Sequence, residues 1–231
     1  MMDKAQYLTA GVFIDSDSPQ VIAFARRTIE GETDLRAAVL RLFSTVRDSI
    51  IYDPYVSFAD PANYRASAVL AAGRGFCVGK AALLAASARV IGVPARVGYA
   101  DVRNHLTSPR LYEKIKTDTF RWHSYTELYL MGRWVKATPA FDRALCDRAG
   151  IKPLEFDGDT DSLFHPFDQA GRRHMEYLND RGTFSDVPFY TITADFRKTY
   201  PSLMSGDGLA GNFRSEAVAQ AMDQSRPQSA E

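Results

Sequence analysis

One cysteine lies where a helix is predicted to begin, and a thiol in that position can act as a nucleophile. Cys77 follows the turn Gly73-Arg74-Gly75 and begins a long apolar stretch. The start of a helix presents unpaired N–H groups and the positive end of the dipole, both of which lower the pKa of a thiol. The glycines also let a substrate carbonyl approach the N–H of Cys77, as in an oxyanion hole. The alternative is a small buried side chain, which is the common role of a free cysteine.

A candidate general base begins a predicted strand 46 positions further along the chain. His123 follows Trp122, and alternation puts Tyr125 on the histidine's face of the strand and Ser124 on the opposite face. A strand laid against the start of the Cys77 helix would bring the imidazole to the thiol, which is the arrangement of an activated cysteine. A histidine at the start of a strand can equally have a structural role.

The elements that position these two residues follow from the spacing of apolar side chains. In the first part of the chain these side chains recur every three or four positions, which predicts amphipathic helices. Four helices are predicted, and they begin at Ser18, after Thr33, at Tyr64 and at Cys77. The last of them presents one apolar face as far as Gly92, and Pro94 prevents it from continuing.

Beyond Pro94 the apolar side chains alternate, which is the period of a strand. Strands are predicted at 95–102, 123–130 and 134–137, with a short hairpin between the last two, and a loop with a little helix at 104–120. A further helix is predicted at 167–179 and a further strand at 189–193. Helices followed by an antiparallel sheet are the pattern of the α+β class.

Four segments of the chain, in this order, resemble the core of the transglutaminase-like superfamily. They are the turn Gly75-Phe76-Cys77 with Ala81 and Leu83 beyond it, the R-x-x-G-V-P-A-R run 89–96, the H-x-aromatic-x-E strand 123–127 and the G-x-W hairpin 132–134. The resemblance covers residues 64–142, about a third of the chain. It implies a papain-like cysteine-protease/transglutaminase core, in which a helical N-terminal lobe packs on an antiparallel sheet. It further implies that Cys77 is the nucleophile and His123 the general base.

The chain departs from the family pattern at two positions. Tyr125 stands where the family has a tryptophan, which keeps an aromatic side chain there. Thr138 stands where the family has the aspartate that orients the histidine, and without a carboxylate the imidazolium is less stabilised. A hairpin that turns at Gly132-Arg133 would place Asp142 opposite His123. Asp142 is therefore a candidate third catalytic residue, with Thr138 or a plain Cys–His dyad as the alternatives.

The other titratable side chains offer no second site. Cys146 lacks a glycine turn and a helix start, so we expect it to be inert. Three histidines lack the spacing of zinc ligands, namely His105, His165 and His174. We therefore expect neither a metal nor a cofactor. Glu127 is predicted either to support the site or to pair with Arg89 or Arg96.

Composition limits the class of the protein. The 231 residues include 28 basic and 28 acidic side chains, a formal net charge of zero, so we expect no nucleic-acid binding and no membrane docking. Two cysteines cannot build a disulfide framework, and neither a signal peptide nor a membrane span is evident, so a cytoplasmic location is expected. We predict one domain at 1–204 and a partly disordered tail at 205–231.

Two functions remain open from the sequence. The first is an enzyme in which the Cys77 thiolate attacks an amide of a peptide or protein and forms a thioester. Transfer of the acyl group to water would make it a peptidase or amidase, and transfer to an amine would make it a transglutaminase; the resemblance favours hydrolysis. The second is a non-catalytic protein that retains the fold and holds a peptide in the Cys77 cleft, a reading that Thr138 favours.

Overall fold

Four helices make up the first part of the protein, as the apolar spacing predicts. The structure is a computed structural model that describes residues 4–105, 107, 109–164, 167–204 and 209–216. The helices are α1 (Pro19–Thr28), α2 (Leu35–Ser49), α3 (Ala66–Ala72) and α4 (Cys77–Val90). Pro19 begins α1, Asp34 caps α2 by accepting the N–H of Ala37, and Gly73 ends α3 in a left-handed conformation.

Two very short strands set the position at which α4 begins. These are β1 (Ile51–Tyr52) and β2 (Arg74–Gly75), which pair in parallel. The pair is extended by the N–H of Asp53, which donates to the carbonyl of Gly75 at 3.0 Å. The turn before Cys77 is therefore tied to the segment that follows α2.

The sheet follows the helices and is antiparallel throughout. It consists of β3 (Ala95–Asn104), β4 (Thr119–Leu130), β5 (Arg133–Ala137) and β6 (Met175–Phe184), in the spatial order β5-β4-β3-β6. The first three strands are those predicted, although β4 begins four residues earlier than expected. The order of helices and strands confirms the α+β class.

Helix α4 lies at the centre of the protein and is buried on every side. All residues from Cys77 to Arg89 are buried, whereas α1 and α2 bury one face each. The prediction of a single apolar face for α4 is therefore too narrow. Its many alanines allow close approach from all directions, and it contacts α1, α2, α3, β3 and β4. Even Lys80 is buried, and its Nζ donates to the carbonyls of Arg47 and Ile50 at the end of α2.

The predictions for the region beyond residue 160 are wrong in two places. The helix predicted at 167–179 is absent: residues 167–174 form a turn closed by a bridge between Phe167 and Arg173, and β6 occupies 175–184 as an edge strand whose largely exposed side chains do not alternate in polarity. The strand predicted at 189–193 is the first turn of α7 (Phe189–Thr199). Its buried side chains are Ile192, Thr193 and Phe196, which have helical spacing, but their aromatic and β-branched types favour a strand.

Two shorter helices complete the described structure. Helix α5 (Pro109–Ile115) is the little helix predicted within 104–120, and α6 (Arg143–Ala149) follows β5 without a counterpart among the predictions. The predicted tail at 205–231 lies outside the described residues except for 209–216, where the N–H of Leu209 donates to the carbonyl of Tyr55 at 2.8 Å. In the described ranges, no helix has the length and apolar character that a bilayer crossing requires.

Candidate active site

The thiol of Cys77 lies at the first position of α4 and is nearly covered. Its residue is 8% exposed. Burial raises the pKa of the Cys77 thiol to about 11, although the backbone N–H groups of Ser124 and Val78 stabilise its thiolate. The N–H groups at the helix start lower this pKa as expected, but desolvation outweighs them, so the pKa lies above its ordinary value. At neutral pH the structure holds a protonated thiol.

Strand β4 carries His123 past the start of α4. The Oγ1 of Thr126 donates to the carbonyl of Ala81 at 2.9 Å, which fixes the strand against the first turns of the helix. As a result, Cys77 and His123 line the same cavity. The expected approach of the histidine strand to the cysteine helix is therefore present.

The imidazole of His123 is buried and neutral. Its ring packs on Phe164 at a centroid distance of 4.8 Å, and its Nε2 has no hydrogen-bond partner in the described part of the chain. Burial lowers the pKa of His123 to about 3, so the ring is neutral at pH 7. A buried nitrogen without a partner is rare in native proteins and is a common feature of catalytic groups. The pair is thus a neutral thiol and a neutral imidazole.

The titration of His123 makes the stability of the protein depend on pH. The unfolded histidine binds a proton below its ordinary pKa of 6.5, whereas the folded one does so only near 3, so stability is lost as the pH falls through that range. Between pH 7 and pH 5 we expect a loss of about 2 kcal/mol from this group. Urea unfolding of the wild type and of His123→Gln at both pH values checks this. An equal loss in the two proteins would contradict it.

The residue before His123 has an unusual backbone. Trp122 has φ 58°, which is rare for a bulky side chain. It lies in a bulge of β4, where Arg121 and Trp122 together face the single β3 residue Asp101. The carboxylate of Asp101 accepts the N–H of Trp122 at 3.2 Å and pairs with the guanidinium of Arg181 at 2.5 Å. Asp101 thereby fixes the backbone from which the imidazole extends.

Removal of the Asp101 side chain is expected to destabilise the protein and to loosen this bulge. Asp101→Ala leaves the N–H of Trp122 without its acceptor and leaves Arg181 with only its longer ion pair to Asp195 at 3.4 Å, which should lower the free energy of unfolding by about 2 kcal/mol. Asp101→Asn keeps an oxygen for that N–H and should retain more stability. Urea unfolding, together with hydrogen exchange of the Trp122 amide, measures both effects. Asp17→Ala removes an exposed carboxylate and is the control. Equal stability of Asp101→Ala and Asp17→Ala would show that Asp101 does not stabilise the bulge.

The predicted register of the hairpin is wrong. The chain turns at Met131 and Gly132, since Leu130 pairs with Arg133. Both turn residues have positive φ, 47° and 87°, as in the tight two-residue turn that suits a twisted hairpin. This shifts the register by two residues, and the ladder ends at Ala137. The cross-strand argument that set Asp142 opposite His123 therefore fails.

The carboxylate of Asp142 is used elsewhere. It is 2% exposed, caps α6 by accepting the N–H of Leu145 at 2.9 Å, and accepts the N–H of Tyr52 at 3.1 Å and the guanidinium of Arg214 at 2.6 Å. Within the described residues none of its hydrogen bonds goes to His123. The other candidate, Thr138, is buried, and its Oγ1 has no partner in the same part of the chain. The geometry therefore favours the alternative of a Cys–His dyad.

Two of the remaining candidate residues, Glu127 and Cys146, have structural roles, and a third, His174, is an exception. Glu127 pairs with Arg96 at 2.6 Å, the structural alternative that was left open. Cys146 is buried in α6, which raises its pKa to about 12, and it does not line the cavity of Cys77. The exception is His174, which lines that cavity but was missed because its segment was predicted as a polar helix. In the described residues no three metal-ligating side chains cluster.

The fold is α+β, with Cys77 and His123 lining one cavity, and comparison with known families agrees with the resemblance noted in the sequence. The profile of the transglutaminase-like superfamily matches residues 22–139, just over half of the chain. The protein therefore belongs to the transglutaminase-like superfamily. No curated protein sequence matches this chain.

Two solved structures are similar to this one. A protein from Cytophaga hutchinsonii, described as a "putative cysteine protease", has 17% sequence identity and a TM-score of 0.50, over 80% of this chain and 48% of that one. A "putative protease" from Parabacteroides distasonis has 15% identity and a TM-score of 0.38, over 58% of this chain and 26% of that one. This chain thus spans about half the length of the first, and at this identity the similarity concerns the fold.

Proposed function

We propose that the protein is a cysteine-dependent hydrolase that cleaves amide bonds of peptides through a thioester on Cys77. The observation that carries the proposal is that Cys77, at the start of α4, and His123, on β4, line the same cavity. A general base must lie within reach of the proton that it removes, which a shared cavity allows. Membership in the superfamily and the description of the Cytophaga hutchinsonii protein add support.

The protonation states determine how the reaction would begin. Because the thiol and the imidazole are both neutral, the proton of Cys77 Sγ passes to the imidazole of His123 as the sulfur attacks the substrate carbonyl carbon. The N–H of Cys77 at the start of α4 would hold the resulting oxyanion. The C–N bond then breaks, and the imidazolium gives its proton to the leaving amine. Water, deprotonated by His123, attacks the thioester and releases the acid and the thiol.

The two possible acyl acceptors can be separated in one assay. An unfolded protein substrate is incubated with the enzyme in the presence of a fluorescent primary amine, and the products are analysed by mass spectrometry. We expect cleaved peptides whose new carboxyl ends carry oxygen from water. Incorporation of the amine into glutamine side chains without cleavage would contradict hydrolysis and would identify the reaction as transglutamination.

The alternative is a non-catalytic peptide-binding protein of the same fold. Two observations favour it, namely the raised pKa of the Cys77 thiol and the absence, among the described hydrogen bonds, of a carboxylate on His123. In that case the assay would yield neither cleaved nor modified substrate, while the substrate would still bind. Turnover that depends on Cys77 would exclude this alternative.

A further inference from the structure

The cavity beside Cys77 has apolar walls. Aromatic rings and aliphatic side chains from helices, strands and loops face it, among them Phe58, Leu111, Phe141, Leu145, Phe196 and Leu203. All six are buried against water. A substrate group in this cavity would therefore exchange water for apolar contacts, which is favourable for an apolar group and unfavourable for a polar one.

Charged substrate groups find no free partner in the cavity. Among the described residues that line it, Arg121 alone carries a permanent charge. Its guanidinium is already paired with Asp195 at 2.6 Å and donates to Thr199 at 3.1 Å. The imidazole of His123 is neutral because burial lowers its pKa. A carboxylate or ammonium group brought into the cavity would lose its hydration without compensation.

The size of the cavity limits the apolar group that it can hold. Its volume is about 100 Å³. A dry cavity of about 150 Å³ in another protein binds benzene, so this one suits a branched aliphatic side chain better than an indole. Phe213, from the segment 209–216, closes part of the wall and packs edge-on against Tyr52 and Tyr55 at 5.7 and 5.8 Å.

We propose that this cavity is a specificity pocket for an aliphatic side chain of about leucine size on the residue that supplies the acyl group. The proposal rests on the proposed function, because the pocket is assigned by its place beside the nucleophile. Cys77 and His123 line the same cavity as the apolar walls, so a side chain held there leaves its own carbonyl next to the sulfur. Helix α5 contributes Leu111 and Ile115, one helical turn apart, to the wall.

Fluorogenic amides of single acylated amino acids test the selectivity. The substrates are the N-acetyl aminoacyl coumarin amides of leucine, aspartate, lysine and tryptophan. We expect kcat/KM for the leucine compound to exceed that for the aspartate and lysine compounds by about 100-fold and that for the tryptophan compound by about 10-fold. Equal values for leucine and aspartate would overturn the proposal.

Substitutions on α5 should move the preference in opposite directions. Leu111→Trp fills the pocket and should lower kcat/KM for the leucine compound by about 10-fold or more, with little change for an added N-acetyl-alanine coumarin amide, whose side chain is much smaller. Leu111→Ala enlarges the pocket and should raise the ratio of kcat/KM for the tryptophan compound to kcat/KM for the leucine compound by about 10-fold. If Leu111→Ala folds poorly, Ile115→Ala provides the same test. Leu8→Trp, at an exposed position, is the control. If the pocket variants and the Leu8→Trp control changed the ratios of kcat/KM between substrates by the same factors, the proposal would be overturned.

A binding measurement separates failure of the pocket from failure of the catalytic proposal. Cys77→Ala is titrated with N-acetyl-leucine amide and N-acetyl-aspartate amide, and binding is followed by NMR chemical shifts of α5. Preference for leucine by about 10-fold, without hydrolysis by the wild type, would retain the pocket and overturn the proposed function. Hydrolysis that depends on Cys77 but shows no side-chain preference would retain the function and overturn the pocket.

Discussion

Replacement of Cys77 by alanine is expected to lower kcat/KM for amide hydrolysis by about 10³-fold or more, because no other group can form the thioester. The fold should survive, since the change removes one sulfur atom from the start of α4 and should destabilise the protein by about 1 kcal/mol. Hydrolysis of a fluorogenic leucine amide and urea unfolding measure the two quantities on the same preparation.

The second thiol provides a matched control for this loss. Cys146→Ala makes the same chemical change at a residue that is 1% exposed and lies outside the cavity wall, so activity should be retained. His123→Gln should lose about as much activity as Cys77→Ala, because a nucleophile and its base act as a unit. If Cys77→Ala kept more than about a tenth of the activity, the thioester route would be wrong.

Replacement of Gly79 by valine is expected to lower the free energy of unfolding by about 3 kcal/mol, the largest stability change that we predict. A Cβ at this position would lie 2.4 Å from the carbonyl oxygen of Asn63 and 2.6 Å from Cγ2 of Val69. The backbone oxygen cannot rotate away, so α4 or the segment before α3 must move. Because Gly79 is two positions beyond Cys77, the same movement should reduce activity.

A graded series separates overpacking from helix propensity. Gly79→Ala adds the clashing Cβ but gains helix propensity, so its effect should be smaller than that of valine. Ala71→Val introduces the same β-branched side chain at an exposed position of α3 and is the control, with an expected change below about 1 kcal/mol. Unfolding in urea measures all three. A valine at position 79 that is tolerated as well as one at position 71 would show that α4 is not held tightly there.

The elements that carry the site could be predicted because their local signals agree with their tertiary environment. The periodicity of α1 and α2 coincides with their buried faces and the alternation in β5 with its buried residues, whereas β3 and β4 are buried on both faces. The signals fail in β6, an edge strand with exposed side chains, and in α7, where strand-forming residue types stand at helical spacing. In both segments, packing against the rest of the fold overrides the local preference.

The sequence could predict which two residues meet in the candidate site but not the electrostatics of the site. Cys77 and His123 follow from motifs, whereas the pKa of the thiol depends on how deeply α4 is buried, which no local pattern reports. The position of Asp142 depends on the hairpin register, and one turn residue more or less changes every partner. Asp101 was missed for a similar reason, since its contact with Trp122 exists only because β4 contains a bulge.

The most direct test of the central claim is detection of an acyl group on Cys77. The protein is mixed with the p-nitrophenyl ester of N-acetyl-leucine, quenched in acid, and analysed by intact mass and by peptide mapping. The account predicts one acyl group, on Cys77 alone, that is released by hydroxylamine and does not form in His123→Gln. An acyl group distributed over Cys146 and surface lysines, or equal acylation of Cys77 in the His123 variant, would contradict it.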